Sequence, residues 1–337
     1  MRGSIVASSA PCRIDLAGGT LDIWPVCQLL GRPAVTLNLA IELRARVEAE
    51  ARPDGLLTVA WVDRGETVRM PVGELRHGGM GLATRLAEWF GAGEGVVLRM
   101  RAEAPPQSGL GGSSAMAVAV AGALSRLRDR TLSPDALLTL VQNVETAHLE
   151  TVTGYQDYVP ALLGGLHALV ATPGGLRRDR LDAAVPMLQR HLLLADTRVE
   201  HQSGIRNWEM VRAFLEGDAR VRASFLSIAS IAAEMRCALE AQDLDAFADA
   251  LDREWQERRH LAPGVTNAAV DGLEAAARKA GARAAKICGA GGGGCMIFLL
   301  DDPGSPAVAR AVEAAGGRVL AWKPAMTGLF VEEVAGT

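Results

Sequence analysis

An apolar, alanine-rich run at residues 115–124 follows directly on Pro105-Pro106-Gln107-Ser108-Gly109-Leu110-Gly111-Gly112-Ser113-Ser114. The run reads as a buried helix, so a glycine-rich turn must arrive at that helix's N-terminus. Backbone N–H groups and the positive end of the helix dipole then gather at one spot suited to an anion. Glycine lets the backbone approach a phosphate closely, and Ser113 or Ser114 can cap the helix or offer a hydroxyl to a phosphate-bound metal. A plain helix cap after a glycine turn accounts for the segment equally well.

Lysine is missing where phosphate loops usually carry it. The three lysines are Lys279, Lys286 and Lys323, so the first 278 residues have none. A Walker loop needs a lysine just after its second glycine, and a protein kinase needs one on an early strand. Both designs are excluded.

With 337 residues, 49% of them apolar, the chain can support two packed lobes. A net charge of −4 and the lack of a basic run interleaved with aromatics argue against nucleic-acid binding. Cys12, Cys27, Cys237, Cys288 and Cys295 show neither a CxxC pair nor zinc spacing with histidine, which fits reduced thiols. No apolar stretch approaches the ~20 residues that span a bilayer, so a soluble, cytoplasmic protein with no membrane partner is expected.

Alternating residues predict strands at 5–16 and 34–48, joined through the Gly18-Gly19-Thr20 turn, and another at 96–102. Ser133-Pro134 opens a helix to about residue 149. The turn-rich stretch 171–180 marks the junction, which gives an N-terminal domain at 1–175 and a C-terminal domain at 176–337. In the second, a strand at 191–195 precedes two or three helices at 206–261 and a helix from the Asn267 cap to Gly281. Strands around a glycine loop, then a final helix and strand, complete an α+β layer.

Three further clusters carry candidate chemistry. Gly289-Ala290-Gly291-Gly292-Gly293-Gly294 lies between short apolar strands, where it suits close approach by a ligand or serves as a connector. Gly154-Tyr155-Gln156-Asp157-Tyr158 follows Glu145, and phosphoryl transfer needs such carboxylates to hold Mg²⁺ and to accept a hydroxyl proton. Each also fits a turn residue or a solvated helix face. Arg13 on the strand before Gly18-Gly19-Thr20-Leu21-Asp22 can hold Asp157 or neutralise phosphate, or simply pair with Asp15. Asp22 can accept two substrate hydroxyls or form an Asx-turn.

Taken in order, residues 11–22, 105–115 and 286–295 resemble the three motifs of the GHMP kinase superfamily, named for galactokinase, homoserine, mevalonate and phosphomevalonate kinases. The Gly18-Gly19 pair before Asp22, and Gln156-Asp157, look most like the heptose-phosphate kinase and fucokinase branch. The resemblance implies a two-lobed α+β fold, with an N-terminal mixed β/α lobe that binds ATP and a C-terminal ferredoxin-like lobe. It implies Asp157 as catalytic base with Arg13 as its cationic partner, and Mg²⁺ on Ser114 and Glu145. ATP would lie against Pro106, Ser108, Gly109, Leu110, Gly111, Gly112, Ser113 and Ser114. A sugar or sugar phosphate would lie against Asp22, Gly18, Gly19, Tyr155, Gly291 and Gly292.

Two positions depart from that branch: Tyr155 stands where its heptose kinases usually carry lysine, and Leu21-Asp22-Ile23-Trp24 is less polar. Trp24, Tyr155 and Tyr158 can stack on a sugar face or pack in the core. Arg32, His201, Arg206 and Lys286 are candidate anchors for a substrate phosphate. The competing readings are a kinase for a non-sugar alcohol such as mevalonate, and a catalytically silent sugar-binding regulator of the same fold.

Overall fold

Two long strands form the spine of the first lobe. In a computed structural model describing residues 5–71, 81–91, 95–199 and 203–334 (side chains at 203–206 excepted), β1 (Ile5–Ala17) runs antiparallel to β2 (Ala34–Ala51). The hairpin of β3 (Leu56–Trp61) and β4 (Glu66–Pro71) joins this spine through β5 (Val96–Ala102), which is parallel to β3 and antiparallel to the second half of β2. The first half of β2 pairs instead with β6 (Leu166–Thr172), which forms a hairpin with β7 (Gly175–Arg180).

Among the described residues, five helices belong to this lobe: α1 (Val26–Leu29), α2 (Gly81–Trp89), α3 (Gly112–Leu127), α4 (Pro134–Leu149) and α5 (Tyr158–Leu163). Every residue of α3 from Ser114 to Leu124 is buried, as an all-round apolar helix requires. It packs on β1 and β2, which holds its N-terminus and the preceding loop at the edge of the core.

The second lobe begins with α6 (Val185–His191) and β8 (Leu192–Asp196). Four helices follow: α7 (Ser203–Glu216), α8 (Ala219–Ala241), α9 (Leu244–Arg258) and α10 (Ala268–Lys279). Asp218, Asp243 and Asn267 cap the last three with side-chain oxygens, worth about 1 kcal/mol each. Then come β9 (Ala282–Ile287), β10 (Cys295–Leu300), α11 (Ala307–Ala314) and β11 (Arg318–Leu320). The antiparallel order β11-β8-β10-β9 is the ferredoxin-like βαββαβ arrangement expected for this lobe. The α+β class holds for both lobes.

Three expectations change. The junction at 175 falls inside the β6–β7 hairpin, with Thr172 opposite Gly175, because Pro173-Gly174 makes a two-residue hairpin turn and not a linker. The chain also returns to the first sheet: β12 (Phe330–Val334) pairs with β1, Ile5 opposite Val334. Gly18-Gly19-Thr20 does not join two strands directly, since α1 intervenes before β2. Among the described residues, no helix is long and apolar enough to cross a membrane.

Gly18 has φ +79°, and a Cβ there would collide with the Val35 carbonyl of β2. Gly18→Ala therefore lowers unfolding free energy by about 2 kcal/mol or more. Urea denaturation checks this, and an unchanged midpoint contradicts it.

Candidate active site

The loop before α3 forms one wall of a cleft of about 780 Å³ that draws residues from both lobes. Pro106, Ser108, Gly109, Gly111, Gly112, Ser113 and Ser114 line it, as do Gly289 and Ala290 from the second lobe. Leu110 does not: it is fully buried, and its carbonyl accepts the Arg13 backbone N–H at 2.9 Å. The helix cap also differs from expectation. Gly111, at φ +71°, is the N-cap of α3 with no side-chain cap, which frees both serines for another partner.

That partner is Glu145. Ser113 Oγ donates to Oε1 at 2.8 Å, Ser114 Oγ to Oε2 at 2.9 Å, and the Tyr158 hydroxyl to Oε2 at 2.6 Å. Burial raises the Glu145 carboxyl above its ordinary range, against the three hydrogen bonds that lower it. Glu145 is thus no solvated face of α4, although its place late in the helix allowed that reading.

Arg13 reaches across the loop to Asp157. Its Nε and Nη2 both donate to Oδ1, at 2.9 and 2.6 Å, and Nη1 donates to the Gly109 carbonyl. Burial opposes the charge on Arg13, but Asp157 and Asp15 together hold the guanidinium above its usual range. Both bonds end on one carboxylate oxygen, and Asp157 is 29% exposed, so its other oxygen stays available at the cleft.

Asp22 sits further along the same cleft. Its Oδ2 accepts the backbone N–H groups of Tyr155 and of Gln156, the latter at 2.8 Å, while Oδ1 is buried without a partner. Burial pushes the carboxyl up to about 6, the Gln156 N–H opposes this, and the charge of Asp157 adds to it.

Beneath the Gly18–Asp22 turn lies a buried charge cluster. Lys286 Nζ bonds Asp15 Oδ2 at 3.0 Å and lies 3.8 Å from Glu254. Glu254 Oε1 accepts Arg258 Nε at 3.0 Å and Gly18 N–H at 3.3 Å, and Arg258 Nη2 donates to the Gly19 carbonyl at 3.0 Å. All four side chains are fully buried. Burial works against ionised Asp15, but Lys286 and then Arg258 overcome it and hold the carboxyl low.

The cluster overturns two readings and adds two residues. Asp15 pairs with Lys286 and not with Arg13, and Lys286 is locked in this cluster and is no phosphate anchor. Glu254 and Arg258 went unnoticed in the sequence, although they share the spacing of Phe247, Leu251 and Trp255 on one buried face of α9.

Other expected contacts are displaced as well. Gly18 does not line the cleft, because its N–H serves Glu254 and its α-carbon abuts β2; Gly19 does line it. Gly291 and Gly292 pack on Val265, whose carbonyl accepts the Gly292 N–H at 2.7 Å. Tyr155 gives Asp22 its backbone N–H while its ring packs on the core. Tyr158 lines the cleft but is buried with its hydroxyl on Glu145, and neither Trp24, which is 69% exposed, nor exposed Arg32 lines it. His201 and the Arg206 side chain lie outside the described residues.

The profile described as GHMP kinases N terminal domain matches residues 80–165, and that of GHMP kinases C terminal matches residues 235–318. The chain belongs to the GHMP kinase family. It is 29% identical to the mevalonate kinase of Thermococcus onnurineus, over 98% of this chain and 99% of that protein. It is 25% identical to the D-glycero-alpha-D-manno-heptose 7-phosphate kinase of Campylobacter jejuni, over 88% and 89%. Its fold matches the crystal structure of a D-glycero-D-manno-heptose 1-phosphate kinase from Bacteriodes thetaiotaomicron with a TM-score of 0.79, at 22% identity, over 98% of this chain and 100% of that one. Membership and these relatives make the protein a small-molecule kinase that uses ATP.

Removing one member of the buried cluster leaves uncompensated charge. Lys286→Met lowers stability by about 3–5 kcal/mol, and adding Asp15→Leu to it restores part of the loss. Chemical denaturation of both variants checks this; a single variant as stable as the parent contradicts it.

Proposed function

We propose that this kinase transfers the γ-phosphoryl group of ATP to a hydroxyl of a small sugar or sugar phosphate, with Asp157 as base and Mg²⁺ as the metal. One observation carries the reading. Asp157, clamped on Oδ1 by Arg13 beside the phosphate loop, shares its cleft with Asp22, whose Oδ1 is buried and unpartnered. In this reading the first takes a proton, and the second receives a substrate hydroxyl.

The N-terminus of α3 and the amides of residues 109–114 receive the phosphates, where the helix dipole and backbone donors favour negative charge. Asp157 accepts the proton of the attacking hydroxyl as transfer proceeds in line, and Arg13 offsets charge spreading over the phosphoryl oxygens. Glu145, Ser113 and Ser114 present only carboxylate and hydroxyl oxygens, a donor set that fits Mg²⁺ completed by water and phosphate. Such an ion neutralises phosphate charge when bound. Catalysis then rests on position and electrostatics.

Sugar hydroxyls donate to Asp22, whereas the carboxylate of an alcohol such as mevalonate would set a like charge against it. That contrast favours the sugar reading, although mevalonate kinases are among the relatives. The intact Arg13–Asp157 pair and the Glu145 cluster favour turnover over silent binding.

Asp157→Asn retains ATP binding but loses at least about a hundredfold in kcat. Coupled ADP detection checks this, and near-normal turnover removes Asp157 from the base role. Asp22 titrates near 6, so it protonates as pH falls through that value and ceases to accept a hydroxyl proton. KM for the sugar accordingly rises below about pH 6 while KM for ATP holds. Asp22→Asn abolishes this dependence on pH, and a parent enzyme with a flat profile contradicts the assignment.

A further inference from the structure

Among the described residues, five that line the cleft carry buried polar atoms with no hydrogen-bond partner, Trp61 and Thr151 among them, and three of these atoms lie around one turn: Arg258 Nη1, Gln156 Oε1 and Asp22 Oδ1. They come from the end of α9, the 154–157 turn and the turn after β1, and they converge on Gly19 and Asp22. Arg258 Nη2 donates to the Gly19 carbonyl, and Gln156 N–H donates to Asp22 Oδ2. A Cβ on Gly19 would lie 3.2 Å from both ends of the Gln156 carboxamide.

Buried polar groups are nearly always paired, so three orphans around one turn call for a ligand that pairs them. The phosphate loop and Glu145 lie elsewhere on the cleft wall and leave these atoms unused. Arg258 is also held rigid. Its Nε and Nη2 both bond Glu254 Oε1, which fixes the guanidinium plane and hence the direction of Nη1.

The set consists of one donor and two acceptors. A hydroxyl both donates and accepts, so two neighbouring hydroxyls can give protons to Asp22 Oδ1 and Gln156 Oε1 while one accepts from Arg258 Nη1. A carboxylate or phosphate would satisfy Arg258 alone and set its charge against Asp22. We infer that Arg258 and Gln156, with Asp22, form a hydroxyl-reading floor that selects a substrate presenting two adjacent sugar hydroxyls to this end of the cleft. Any phosphate on the substrate therefore points away from it. The inference rests on the sugar-kinase reading and deepens it.

The test is a cycle between enzyme variants and substrate analogues. A panel of sugars and sugar phosphates first identifies a substrate of the parent enzyme, and its singly deoxygenated analogues are then assayed with the parent, Arg258→Lys and Gln156→Met. With the parent, at least one analogue loses about tenfold or more in kcat/KM. With the variant lacking the matching partner, that penalty shrinks to about twofold, and KM for ATP is unchanged. A purely structural role would lower activity on all analogues alike. Binding of a fluorescent ATP analogue reports folding, and Gln156→Met carries the test alone if Arg258→Lys does not fold. Variants that discriminate among the analogues as the parent does overturn the inference and leave the sugar-kinase reading standing. A parent that phosphorylates mevalonate and no sugar overturns both.

Discussion

Two acids and two bases buried where the lobes meet hold the rest of the site in place. Asp15 comes from β1, Lys286 from β9, and Glu254 and Arg258 from α9. Each charge alone would be costly away from water, and only mutual pairing makes their burial tolerable. The pairing also has direction. Glu254 and Arg258 grip the backbone of Gly18 and Gly19, so the turn that carries Asp22 is set by a helix of the other lobe. The Asp22 end of the cleft is therefore a property of the interface between lobes.

The end of the cleft at the start of α3 depends on a different contact. A Cβ on Gly109 would lie 2.5 Å from the Cys288 carbonyl, and one on Gly294 would lie 2.6 Å from the Ser108 backbone. Cys295 N–H donates to the Ser108 carbonyl at 2.7 Å. The two glycine-rich segments are thus apposed backbone to backbone, and most of the second supports the first instead of touching a ligand. Side chains would push the loops apart and shift the amides at the start of α3. Arg13 completes this support by tying the Gly109 carbonyl to Asp157.

Much of this was legible along the chain, because the signals were local. The 105–124 segment combined glycine, serine and an unbroken apolar run, and Ser133 and Asn267 are caps whose effect ends within one helical turn. The β3–β4 hairpin and α2 were not foreseen, since each element offers only six to nine residues over which a pattern can repeat. Glu254 and Arg258 were missed for another reason. At i and i+4 they look like any surface ion pair, and only their phase with Phe247, Leu251 and Trp255 marks them as inward-facing.

The sequence by itself determined the fold class, the family and the residue types of the proposed chemistry: a glycine-rich loop without lysine, three carboxylates, a serine pair and one arginine. Tertiary structure alone decided which charges meet. Arg13 chose Asp157 over nearby Asp15, Lys286 went to Asp15 and not to a substrate, and Gly291 and Gly292 went to Val265 and not to the cleft. The reason is range. Capping, periodicity and turn chemistry act within a few residues, whereas partners at the cleft are separated by up to 271 positions and are chosen by how β1, β9 and α9 pack.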